Sequence, residues 1–203
     1  MKIQIIGNGA FGSFLSELLA PHMEIVDDAE IVILAVPLSA YDEVARRNRE
    51  KHLVNVCSVQ LPSTEICLEY TNEVISIHPL FGRRTPSDRR NSILTHEEVQ
   101  GDDQWYHCPI AVDFLDIFSK VSSILKIDQN GKPFTPESHD LLMAKTHYAA
   151  VLGAKQLKVL VDRNVDVPDE LLPNSFRLMR DFVKTLEDMP QGTIESIMGN
   201  PFV

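Results

Sequence analysis

The chain has 203 residues, room for one large domain or two small ones. Apolar residues make up 44% and charged residues 24%, the balance of a globular protein able to bury a core. Its formal net charge of −10 repels a phosphate backbone and argues against nucleic acid as a partner.

Ile3, Ile5 and Ile6 predict a short β-branched strand ending at Gly7. A helical stripe of Phe11, Phe14, Leu15, Leu18 and Leu19 follows at once, closed by Pro21 and His22. Met23 to Val26 reads as a short strand. Glu30 to Pro37 is a near-continuous apolar run, the pattern of a central parallel strand buried on both faces. A solvated helix over 40–52, a strand from Leu53 to Ser58 and a short helix from Pro62 to Tyr70 come next. A strand from Val74 to Ile77 ends at His78-Pro79. This alternation predicts the α/β class, with a Rossmann-like, mostly parallel sheet. Residues 83–109 read as polar and irregular, with Arg83, Arg84, Arg89 and Arg90 clustered, and Ile110 to Leu125 returns to helical periodicity.

The character changes at Gly131-Lys132-Pro133, and a domain boundary is placed at residue 134. Thr135-Pro136 pairs an N-cap with a first-turn proline, opening a helix that runs to about Arg163. Pro168 and Pro173 interrupt a linker, and a last helix starts near Asn174. Residues 135–203 therefore form a small all-helical C-terminal domain. A segment of that size rarely holds together on its own core, so it is expected to pack on the first domain and on a second copy, giving a homodimer. No apolar run is long enough to span a bilayer, and the N-terminus lacks signal-peptide features, so no membrane association is expected. Cys57, Cys67 and Cys108 are odd in number and form no Cys-x-x-Cys pair, which fits a reducing, cytoplasmic setting. No metal is implied.

Gly7-Asn8-Gly9-Ala10-Phe11-Gly12 lies between the first strand and the first helix, the context in which Gly-x-Gly-x-x-Gly carries meaning. The first glycine serves the tight turn, the second lets backbone N–H groups approach a pyrophosphate, and the third lets helix and strand pack closely. This makes residues 1–134 a dinucleotide-binding domain for NAD or NADP, with Val36 and Pro37 at the end of the apolar strand in the cofactor-binding set. Asp27 stands 20 residues after Gly7, where an acidic side chain accepts ribose hydroxyls. The next buried strand starts so soon afterwards that a helix-sized unit is missing, and Asp27 with Asp28 reads equally as a turn. The absence of lysine and arginine between Lys2 and Arg46 favours NAD.

Five motifs in order make the chain resemble the prephenate and arogenate dehydrogenases of tyrosine biosynthesis. They are Gly-Asn-Gly-Ala-Phe-Gly at 7, Ile-Val-Ile-Leu-Ala-Val-Pro-Leu ending at 38, Cys-Ser-Val-Gln at 57, His-Pro-Leu-Phe-Gly at 78 and Thr-Pro-Glu-Ser-His-Asp at 135. The resemblance implies NAD(P)-dependent oxidative decarboxylation of a small cyclohexadienyl carboxylate. It assigns proton uptake to His78, a hydrogen bond to that histidine or to the substrate hydroxyl to Ser58, and a place near nicotinamide or substrate to His139. An unperturbed histidine, with a pKa of about 6.5, suits such proton transfer. On the residues alone, His78 also reads as a turn histidine, Ser58 as a helix cap and His139 as a first-turn surface histidine. His147, eight residues beyond His139 and 80° round a regular helix, is a second substrate-binding candidate. Arg180 and Arg177 are candidates for the substrate's side-chain carboxylate, because a guanidinium fork matches a carboxylate in two places. The Arg83–Arg90 cluster could attract a dianion but reads more simply as a charged surface loop. Two other readings stay open: a dehydrogenase of another small acid, and a non-catalytic relative.

Overall fold

A computed structural model describes residues 2–95, 123–125, 134–164 and 166–203. Contacts divide it into two compact units, 1–140 and 141–203, so the division falls six residues beyond the predicted boundary. The start of the helix after Thr135 belongs to the first unit, because His139 and Asp140 are tied by side-chain bonds to residues on the sheet and its first-unit helices.

In the first unit, β1 (Lys2–Ile6) leads through the glycine turn into α1 (Ala10–Leu19), and β2 (Glu24–Ile25) and β3 (Ile31–Leu34) follow. Then come α2 (Tyr41–Arg47), β4 (His52–Asn55), α3 (Gln60–Leu68), β5 (Val74–Pro79) and β6 (Ser92–Thr95). The sheet order is β2-β1-β3-β4-β5-β6; all neighbours are parallel except β5 and β6. Successive strand residues feed two opposite cores. Ile3, Ile31, Ile33, Val54, Ile75 and Ile77 pack toward Phe14, Leu15 and Leu19 of α1. Val32, Leu34 and Leu53 pack toward Tyr41, Ala45 and Cys67 of α2 and α3. Burial on both faces is why β3 is an unbroken apolar run. Each fully buried leucine or isoleucine of this set contributes about 1.5–3 kcal/mol.

The sequence-predicted helix over 40–52 is shorter: α2 stops at Arg47, where Asn48 Nδ2 donates to the Val44 carbonyl (2.8 Å). β6 lies inside the stretch expected to be irregular. Residues 96–109, and most of the helix expected over 110–125, lie outside the described residues; 123–125 are helical.

The link between β2 and β3 is the departure that the sequence announces. It spans only residues 26–30 and crosses from one side of β1 to the other. Val26 N–H donates to the Ile3 carbonyl (2.9 Å), Gln4 Nε2 to the Asp27 carbonyl (2.6 Å), and Lys51 Nζ to Asp28 Oδ1 (2.6 Å). No helix intervenes, so the adenosine-side wall of an ordinary dinucleotide fold is absent here.

α4 (Pro136–Met143) starts as expected, with Ser138 N–H donating to Thr135 Oγ1 (3.1 Å), and runs into the second unit. There a π-helical turn (Ala144–Tyr148) joins it to α5 (Ala149–Asp162), so the long predicted helix is present but widened at its middle. Thr146 Oγ1 donates to the Leu142 carbonyl (2.8 Å) at that point, the kind of back-bonding that distorts a helix. The predicted last helix is two: α6 (Asn174–Glu187) and α7 (Gln191–Met198), parted by Pro190. The core of this unit is thin, built on Val151, Ala154, Leu186 and Ile197. Among the described residues no helix is long and apolar enough to cross a membrane.

Candidate active site

Four parallel strands bring candidate residues to one end of the sheet. Gly7 follows β1, Val36 and Pro37 follow β3, Ser58 follows β4, and His78 is the penultimate residue of β5. In an open α/β sheet that carboxyl end is where ligands bind.

The glycines of the turn serve different ends. Gly7 has φ +117°, and a Cβ there would lie 2.1 Å from the Ala35 carbonyl oxygen. A Cβ on Gly12 would lie 2.0 Å from the Gly7 carbonyl oxygen, so this glycine lets α1 press on β1. A Cβ on Gly9 would meet nothing within 4 Å. Gly9 is the N-cap of α1 and is exposed, with Asn8 and Ala10 beside it. The first turn of α1 carries no acidic residue and its cap no side-chain bond, so its amide groups remain available to an anion. Phe11 turns inward and meets Phe14 edge-on (6.2 Å), leaving its backbone for the turn. These residues fit a pyrophosphate.

A buried polar chain lies at the far side of the sheet. Asp140, fully buried, accepts the backbone N–H groups of Gln60 and Leu61, each at 2.8 Å, through its two oxygens. It thereby caps α3, whose own N-cap, Val59, has no side chain for the purpose. Asp140 Oδ1 also lies 2.8 Å from Nδ1 of His139, which is fully buried. His139 Nε2 lies 2.9 Å from Nδ1 of His78, with the rings crossed at 74°. His78 is 2% exposed and lies within β5 instead of in a turn, and His139 is buried instead of on the surface.

The turn carrying Ser58 is held by Asn55, whose Oδ1 accepts from Tyr41 Oη (2.7 Å) and from Cys57 N–H (2.9 Å). Its Nδ2 donates to Ser63 Oγ (2.8 Å) and Ser76 Oγ (3.1 Å). Burial pushes the Tyr41 phenol well up, so it remains a donor. Gln60 closes the turn from the other side, donating to the Cys57 carbonyl (2.5 Å) and accepting from Thr95 Oγ1 (2.9 Å). Ser58 itself is half-buried and starts no helix; α3 begins two residues later.

Other predicted residues are engaged elsewhere. Arg83 grips Glu17 of α1 in two places (2.6 and 2.7 Å) and holds that carboxyl below its usual range. Arg90 lies over the rings of Phe14 and Phe81. Both therefore pin the loop after β5 to α1. In the second unit, Arg180 donates to Asp169 Oδ1 (2.5 Å) and Arg177 to the Asp169 carbonyl (2.7 Å). His147 sits in the π-helical turn, so the 80° separation computed for a regular helix does not describe its relation to His139.

Sequence reasoning missed Asp140 and Gln60 as parts of the site. Asp140 stands beside His139 in the Glu-Ser-His-Asp motif, which was the available signal. Its partnership with α3 spans 80 residues and leaves no local pattern.

The first unit is thus a doubly wound, Rossmann-type sheet with an antiparallel edge strand and a shortened first crossover. In fold, the chain is similar to a Corynebacterium glutamicum protein provisionally described as a prephenate dehydrogenase, with TM-score 0.67, 15% identity, and coverage of 97% of this chain and 73% of that one. It is also similar to prephenate dehydrogenase from A. aeolicus in complex with hydroxyphenyl propionate and NAD+, with TM-score 0.62, 15% identity, and coverage of 98% and 82%. Arogenate dehydrogenase from Synechocystis gives TM-score 0.60, 17% identity, and coverage of 98% and 84%. In sequence, no protein-family model and no curated protein matches the chain.

Proposed function

We propose that the chain is an NAD- or NADP-dependent dehydrogenase that oxidatively decarboxylates a cyclohexadienyl acid of the prephenate or arogenate kind. The observation that carries this reading is the buried Asp140–His139–His78 chain, placed at the same end of the sheet as the glycine turn. The fold likeness to prephenate and arogenate dehydrogenases supports the substrate class. When bound, the dinucleotide supplies the hydride acceptor, and residues 7–12 with Val36 and Pro37 are the ones that would hold it. Asp27 is the candidate for the adenosine ribose, although the bond it makes through its carbonyl is that of a turn.

The chain's own residues manage the proton. His78 takes the substrate hydroxyl proton as hydride leaves the carbon bearing that hydroxyl. The ring carboxylate then departs as carbon dioxide, its electron pair completes the aromatic ring, and His78 returns the proton to the phenolic oxygen. Ser58 orients the hydroxyl. Arg180, Arg177 and His147 are the candidates for the substrate's side chain; for Arg180 that role requires release of Asp169. A cytoplasmic homodimer, joined through the C-terminal helices, completes the reading.

The test is reduction of NAD and of NADP by the purified chain with prephenate and with arogenate. His78→Ala lowers turnover by about 10²–10⁴-fold. A chain that oxidises neither acid but reduces the dinucleotide with another small acid in a substrate panel is a dehydrogenase of that acid; one that reduces it with none, or binds no dinucleotide by calorimetry, is a non-catalytic relative.

A further inference from the structure

We propose that Asp140 and His139 are positioning residues that fix the tautomer of His78, keeping hydrogen on its Nδ1 and leaving its Nε2 as the proton-accepting nitrogen. Hydrogen inventory along the chain gives this result. Backbone amides only donate, so both Asp140 oxygens act as acceptors toward Gln60 and Leu61. The same Oδ1 faces His139 Nδ1 at 2.8 Å, so His139 carries its hydrogen there. A ring with hydrogen on Nδ1 alone has a lone pair on Nε2. That lone pair faces His78 Nδ1 at 2.9 Å, which must then bear the hydrogen between them.

The opposite wiring would place hydrogen on His139 Nε2 as well, making a cationic ring against a second buried imidazole. In that arrangement His78 would accept at Nδ1 and carry its own hydrogen on Nε2, which could not then take a proton from the substrate. The wiring proposed here also serves the reaction. When Nε2 of His78 gains a proton, its Nδ1–H already points down a chain ending in a carboxylate at the N-terminus of α3. The new positive charge is met by groups already in place, as a buried carboxylate meets the imidazolium of a Ser-His-Asp triad. Gln60 holds that helix start, because its side chain is fixed at the Cys57 carbonyl and at Thr95 Oγ1.

The catalytic consequence rests on the proposed function, but the tautomer is a property of the free protein and is measured without substrate. In the full chain labelled with ¹⁵N-histidine, long-range ¹H–¹⁵N correlation at neutral pH is expected to report both His78 and His139 as Nδ1–H tautomers. His139→Gln can still donate to Asp140 and accept from His78, so it keeps the His78 tautomer. His139→Leu and Asp140→Asn lose it, with His78 moving to a mixture or to Nε2–H. Turnover, where present, falls by about 10²-fold or more in both and less in His139→Gln. A His78 Nε2–H tautomer in the unaltered protein overturns the proposal, as does a His78 tautomer indifferent to the Gln and Leu replacements. If Asp140→Asn fails to fold, that pair still decides. A confirmed tautomer with no turnover leaves this inference standing and sinks the proposed substrate.

Discussion

Cys57 and Cys67 illustrate how far the residue environment departs from the residue type. Both thiols are buried, and burial pushes them up to about 11 and about 12. They are therefore inert at neutral pH: alkylation followed by mass spectrometry is expected to label neither in the native chain and both in urea. The sign of their effect on stability follows. A thiol whose folded value lies above its unfolded one, near 9, contributes stability that is complete below pH 9 and is lost as pH rises through 11 or 12. The stability gap between the parent chain and Cys67→Ala is thus expected to narrow by about 1.4 kcal/mol from pH 8 to pH 10, read by urea unfolding. His78 and His139 make the complementary point. Their residue types and motifs were enough to single them out, but their pairing was not, since it joins a strand and a helix across 61 residues.

At the scale of elements, the glycine turn separates folding from binding. Gly7→Ala is expected to cost about 1–3 kcal/mol through its left-handed backbone alone, with overlap on Ala35 adding to it. A Cβ on Gly9 meets no protein atom, so Gly9→Ala is expected to cost no more than the roughly 1 kcal/mol of a poorer N-cap while weakening dinucleotide binding; a much larger loss of stability, or unchanged binding, contradicts the reading of the turn. Elements with a strong period were legible in the sequence. The isoleucines of β1 and the apolar run of β3 fix both strands, and Thr135-Pro136 fixes the start of α4. β6 was not legible, because Ser-Ile-Leu-Thr is four residues in polar surroundings and is held by pairing with β5. The π-helical turn escaped notice because residue spacing assumes a regular helix. The shortened crossover, by contrast, was read directly from the few residues between Asp27 and β3.

At the scale of the whole molecule, the second unit leaves apolar side chains in solvent. Leu178 is 61% exposed and Phe182 39%, one turn apart on α6, and Val159 is 51% exposed on α5. A core of so few residues and a surface this apolar suit a second copy as cover. Sedimentation is expected to find a dimer, and Leu178→Lys combined with Phe182→Lys to give monomer; a monomeric parent chain removes the homodimer from the proposal. The five-residue link between β2 and β3 bears on something else, the route by which the chain reaches its fold. Parallel strands are ordinarily joined through a dozen or more residues, and closing a loop costs about 0.6 kcal/mol more with each doubling of its length. Here three adjacent strands lie within the first 34 residues. The edge of the sheet whose crossover carries no helix is, for the same reason, the part whose strands have the shortest search for one another.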